Sequence, residues 1–147
     1  MISYNKDGFK KDGKSWFPVM GEYQYSRSDA RYWAEGMAKM KALGVDVVAS
    51  YSFWIHHEEI ESHYNFRGNN NLRKFVRTVK ESGMLMCLRI GPWVHGEARN
   101  GGFPDWIYNK GYRLRSNDAG YMRAVRRYFD QLCAQCDGYL YEQGGPI

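Results

Sequence analysis

Short apolar runs alternate along this chain with longer stretches in which apolar residues return every three or four positions. The runs are Phe17–Met20, Val45–Ser50 and Met84–Ile90. They lack strict apolar–polar alternation, which marks strands covered on both faces rather than on one. Trp33, Met37 and Met40 form a first helical stripe. Leu72, Phe75, Val76 and Val79 form a second, and Tyr121, Val125, Tyr128, Leu132 and Cys136 a third. That spacing puts each set on a single face of a helix. Cap-forming residues stand ahead of each stripe: Ser28 or Asp29, then Asn69–Asn71, then Asn117 or Asp118. Gly44 and Gly83 stop the first two helices. Near the N-terminus, Asp12-Gly13 within Phe9–Trp16 predicts a tight hairpin. A fourth strand starts at Ile147. Strands and helices in this order make an α/β protein with a parallel sheet.

The polar residues fall into register with these elements. Glu22, Tyr25 and Arg27 follow the first strand. Tyr51, Trp54, His56, His57 and Glu58 follow the second, and Arg89, Trp93, His95 and Glu97 surround the end of the third. All three clusters lie at carboxyl ends of strands, the face on which a (β/α) barrel builds its active site. The densest stretch is Leu88–Pro104, where a buried strand breaks at Gly91-Pro92 into a loop of aromatic and ionisable residues. A loop of that composition on a rigid strand is a candidate site. Eight βα units take ~250 residues, and 147 residues hold about three. The chain therefore reads as one partial domain, residues 1–147, the N-terminal part of a (β/α)8 TIM barrel with a short hairpin in front. No Gly-x-Gly-x-x-Gly follows any strand, so a dinucleotide fold has no support.

Composition narrows the picture further. Hydrophobic residues make up 44% and aromatic residues 16%, as in a globular protein. No apolar run approaches the ~20 residues of a membrane span, so no membrane insertion is expected. Met1–Lys14 carries no apolar core of a signal peptide, which leaves the compartment open between cytoplasmic and exported with a leader removed. The net charge of +5 is spread among acids, and Arg123–Arg127 lies on a predicted helix, a solvated face rather than a nucleic-acid footprint. Cys87, Cys133 and Cys136 make no disulfide framework. His56, His57, His63 and His95 lack metal-ligand spacing, so neither metal nor cofactor is expected.

Four stretches carry a resemblance: GEYQYSR at 21–27, KMKALGVDVVASYSFWIHHEE at 39–59, LRIGPWVHGEARNGGFPDW at 88–106, and GGPI at 144–147. In this order they resemble glycoside hydrolase family 35, the retaining β-galactosidases, from about Phe9 to Ile147. The resemblance implies a (β/α)8 barrel that removes terminal β-linked galactose with two glutamates, an acid/base and a nucleophile. In the family the acid/base lies in an Asn-Glu pair soon after GGPI and the nucleophile much later. Neither position falls within 1–147, so the chain alone is expected to be inactive. A non-catalytic carbohydrate-binding or vestigial protein ending at Ile147 is the alternative.

The resemblance also implies substrate contacts. Tyr51 matches a tyrosine that hydrogen-bonds the galactose. Glu97, with His95 and Gly96 before it, matches the strand-three contact to sugar hydroxyls. The chain departs from the family at His95-Gly96, where Asn-Ala or Cys-Ala is common, and at Trp93, where Tyr is common. Read from the residues alone, Glu97 is a general base, a sugar ligand or an ion-pair partner of Arg89 or Arg99. Trp54 and Trp93 are sugar-stacking platforms or barrel-mouth core, Glu22 and Arg27 support the site from behind or pair at the surface, and Arg89 is a further supporting candidate. An incomplete barrel also exposes sheet edges through which copies of the chain associate.

Overall fold

The computed structural model describes all 147 residues. A small antiparallel sheet leads: β1 (Ile2–Asn5), β2 (Gly8–Lys11) and β3 (Lys14–Ser15), in that spatial order. The expected hairpin is β2–β3, with Lys11 opposite Lys14. Asp12 and Gly13 both take positive φ, 52° and 79°, the twist that suits a two-residue hairpin turn. The pairing of β1 with β2 is new, because Ile2–Asn5 shows no apolar run.

The main body is a parallel sheet of β4 (Met20–Glu22), β5 (Val47–Tyr51) and β6 (Leu85–Arg89), with β5 in the centre. Every residue of β5 is buried, as the unalternating Val45–Ser50 run implies. The first strand departs from expectation. It lies at 20–22 rather than 17–20, and Phe17, Val19 and Met20 are 92%, 48% and 56% exposed. Pro18 donates no backbone hydrogen bond, and β4 has a strand neighbour on one side only.

Three helices cover this sheet: α1 (Trp33–Ala42), α3 (Leu72–Glu81) and α4 (Ala119–Cys136). A four-residue helix, α2 (Trp54–His57), sits in the segment after β5. The apolar stripes face inward as spaced. Leu72, Phe75, Val76 and Val79 are fully buried, each stabilising the fold by about 1.5–3 kcal/mol relative to exposure. Asn71 caps α3 by accepting from the Lys74 N–H, and Asp118 caps α4 by accepting from Tyr121. Neither Ser28 nor Asp29 caps α1. Asp29 folds back on Arg31, and the N-cap position of α1 falls to Tyr32, which makes no side-chain cap.

The anticipated fourth strand is present only as its first contact. The Pro146 carbonyl accepts from Met86 N–H at 2.8 Å, on the edge of β6 away from β5. The sheet is open: an α/β arrangement of parallel strands and covering helices, not a closed barrel.

Candidate functional site

Parallel pairing aligns the carboxyl ends of β4, β5 and β6, with Tyr51 directly opposite Arg89. Glu22 and Arg89 form an ion pair that reaches across the central strand. The Arg89 guanidinium lies 3.7 Å from the centre of the Tyr51 ring, a cation–π contact. Gln24 completes the group. Its amide nitrogen donates to Glu22 at 2.5 Å and its oxygen accepts from the Tyr51 N–H at 3.0 Å. The Arg89 hydrogen bond holds the Glu22 carboxyl below the usual carboxylate range, against the opposing push of burial. Tyr51 is 9% exposed, and its hydroxyl reaches the surface without a hydrogen-bond partner in the chain. Arg89, held by Glu22, thus covers one face of the Tyr51 ring.

The loop after β6 comes back over the same ring. A Cβ on Gly96 would stand 2.7 Å from Phe53 Cζ and 3.3 Å from Tyr51 Cδ2. Glycine here is a consequence of Phe53, which fills the space that an alanine would need. Glu97 follows with φ of 45°, a left-handed conformation unusual outside glycine and asparagine. Its side chain is exposed, with no hydrogen bond or ion pair. The ion-pair reading of Glu97 fails, because Arg89 is taken by Glu22 and Arg99 by Asp105. An unpartnered carboxylate on a strained backbone is an outlier of the kind that gathers at ligand sites.

The two tryptophans separate. Trp54 is fully buried, stacked on Tyr128 at 4.9 Å, with its indole N–H donating to Glu58 at 2.6 Å. It is core and presents no face to a ligand, which corrects the stacking-platform reading. Trp93 is half-buried. Its ring lies against Gly101, Arg115 sits 4.4 Å from its centre, and exposed His95 meets it edge-on at 4.2 Å.

Beneath the site lies a polar underlayer: the sequence singled out Tyr25, His57 and Glu58 at strand ends but not their burial or their partners. The Glu58 carboxylate accepts from Trp54 and from the Ser62 N–H, and the Glu58 carbonyl accepts from Trp106. His57 is fully buried between Tyr25 and the Asn65 carbonyl. The carbonyl requires a proton on Nδ1, so Nε2 accepts from the Tyr25 hydroxyl at 2.5 Å. Burial pushes this imidazole down to about 4, so it is neutral near pH 7. Ser52 and Tyr128 join β5 to α4 through their hydroxyls at 2.8 Å. Gln24 and Phe53 were missed. Both flank residues that the pattern singles out, but an amide and a phenyl carry no signal until their neighbours are known.

The histidines form no group that could hold a metal ion. His56 bonds Ser26, His57 bonds Tyr25 and Asn65, His63 bonds the Glu61 carbonyl, and His95 packs on Trp93. No helix is long and apolar enough to cross a membrane.

The chain is 35% identical to a beta-galactosidase from Homo sapiens over 147 residues, 99% of this chain and 22% of that protein. Identity is also 35% to a beta-galactosidase from Xanthomonas manihotis, with 95% of this chain and 23% of that one covered. The match to beta-galactosidase 7 from Oryza sativa subsp. japonica is 36%, covering 99% and 19%. The chain thus spans about a fifth of the length of these relatives. Among solved structures, it superposes on the exo-beta-1,4-mannosidase Op5Man5 from Opitutaceae bacterium strain TAV5 with a TM-score of 0.69 at 16% identity, covering 93% of this chain and 25% of that one. A GH5_18 protein from Bifidobacterium longum subsp. longum gives 0.58 at 18%, covering 78% and 29%. These two likenesses concern the fold alone. The profile of the glycosyl hydrolases family 35 matches residues 8–147, and the chain belongs to that family.

Proposed function

We propose that residues 1–147 form one partial domain, the opening portion of a (β/α)8 barrel in a retaining β-galactosidase, and that they recognise its terminal sugar. The observation that carries this reading is the free, exposed Glu97 carboxylate, held at positive φ directly after Gly96, whose backbone packs against the rings of Tyr51 and Phe53. A carboxylate accepting from sugar hydroxyls makes charge-assisted hydrogen bonds. The unpartnered Tyr51 hydroxyl both donates and accepts, and Arg89, held by Glu22, covers one face of its ring.

Retaining hydrolysis needs two carboxyl groups roughly 5–5.5 Å apart across the bond. Glu22 is spent on Arg89 and Gln24, and Glu58 on Trp54 and Ser62. Glu97 is read as a sugar ligand, the role the family resemblance implies, and the same resemblance puts the acid/base and nucleophile on residues other than these 147. The 147 residues therefore bind galactosides without cleaving them. Incubation of the purified chain with 4-nitrophenyl β-D-galactoside is expected to release no nitrophenolate. Turnover that survives Glu97→Gln would overturn the reading. Turnover abolished by that change would make Glu97 catalytic.

A further inference from the structure

We propose a second sugar-binding cleft next to the first, a place for the sugar unit beyond the terminal one; the proposal rests on the reading above. The cleft has a volume of about 310 Å³ and is lined by Ile55, His56, Glu59, Ile60, His63 and the Asn65/Asn70 pair. That volume is at the small end of ligand sites, ~300–1,000 Å³. Three observations carry the inference.

The first is unspent hydrogen-bonding capacity. His56 uses only Nδ1, on Ser26, and His63 only Nδ1, on the Glu61 carbonyl, so both Nε2 atoms are free. Glu59 is exposed and makes no ion pair or hydrogen bond. Asn65 uses only its side-chain oxygen, on the Arg67 N–H. The second observation is rigidity. The Asn70 amide donates to the His56 carbonyl at 2.6 Å, tying the far wall to α2. Buried His57 and Glu58, the next residues of the chain, anchor that helix from below. The third observation is continuity. Ile55, one apolar wall of the cleft, packs on the cluster of Tyr51, Phe53 and Val94 that backs the first site. The Phe53 ring centre is 6.0 Å from Tyr51 on one side and 5.0 Å from His56 on the other.

Apolar walls for the carbon face of a pyranose, with imidazole, amide and carboxylate groups at the rim for its hydroxyls, suit a neutral sugar. Burial, followed by the nearby Arg27 charge, lowers the His56 pKa, so this ring is a neutral hydrogen-bonding group near pH 7.

The test is a titration of the full 147-residue chain, with labelled histidine rings and backbone amides, against methyl β-D-galactoside and lactose. Methyl β-D-galactoside fills only the first site, whereas lactose extends beyond it. The proposal expects the Gly96 amide to shift with both, and the His56 and His63 rings to shift with lactose alone. Glu59→Gln is expected to weaken lactose about tenfold, the loss of one charge-assisted hydrogen bond, and to leave methyl β-D-galactoside unchanged. Histidine rings that stay silent while Gly96 responds to both sugars would overturn the second cleft and leave the first site standing. Equal weakening of both sugars by Glu59→Gln would overturn it as well. Silence at every position would overturn both readings. A response confined to the histidines would overturn the first site and, with it, the assignment of the cleft to the sugar beyond the terminal one.

Discussion

Glu97 and Tyr51 are the residues on which the reading is most exposed to test. Each offers polar atoms that no other group in the chain uses. Tyr51→Phe and Glu97→Gln should each weaken galactoside binding by about 1–3 kcal/mol, the cost of a sugar group left unpaired. Calorimetric affinity beside melting temperature checks this: unchanged affinity with a large fall in Tm would make both residues structural. Glu97→Gly separates strain from function, because glycine accepts a φ of 45° without penalty. It should lose the sugar while Tm stays level or rises. His57 sets a different expectation. Its folded pKa of about 4 lies below the unfolded 6.5. The unfolded chain therefore takes up the proton first as pH falls. Stability is full above pH 6.5 and declines by up to about 3 kcal/mol towards pH 4. Denaturant midpoints across that range should fall, and His57→Phe should flatten the His57 part of the decline. At this scale the sequence displayed chemistry but not partners. Tyr51 and Glu97 stood out as a tyrosine and a carboxylate at strand ends. Nothing in the linear order revealed that Arg89 spends its charge on Glu22, or that Trp54 is sealed in the core.

At the scale of elements, periodic stripes were legible and special backbone was not. The faces of α3 and α4 followed from spacing, as did their Asn71 and Asp118 caps, because a cap is a local event. Asp118→Ala should cost about 1 kcal/mol of stability through loss of that cap, readable as a lower Tm with sugar affinity kept. The β1 strand and α2 were not legible. Ile2–Asn5 is held by pairing with β2 rather than by its own apolar content, and α2 is a single turn fixed by the burial of Trp54 and His57. Phe17–Met20 is exposed where its apolar content implies two-sided cover, because Pro18 interrupts the run and β4 lies at an edge. The meeting of β5 with the Gly96 loop gives the sharpest element-level prediction. Gly96→Ala would drive a methyl into Phe53 and displace Tyr51, weakening sugar binding, and Phe53→Leu in the same chain should restore part of the loss. Equal losses in the single and double variants would show that the contact is not coupled to the site.

For the molecule as a whole, order along the chain identified three strand–helix units and the face that carries the chemistry, because short connections keep consecutive elements adjacent. The sheet that results is open. β4 has one neighbour, and Phe17, Val19 and Met20 lie exposed beside it. Copies of the 147-residue chain are therefore expected to associate along this edge, with scattering mass rising with concentration; a monodisperse monomer across a dilution series would count against it. The central claim is that these residues hold a sugar without cleaving it. The most direct measurement is an amide-resolved NMR titration of the chain with methyl β-D-galactoside, followed long enough to detect methanol. The account predicts saturable shifts centred on Tyr51, Gly96 and Glu97, moved to higher sugar concentration by Glu97→Gln, with the galactoside intact throughout. Shifts confined to other regions, or methanol release by the chain, would contradict it.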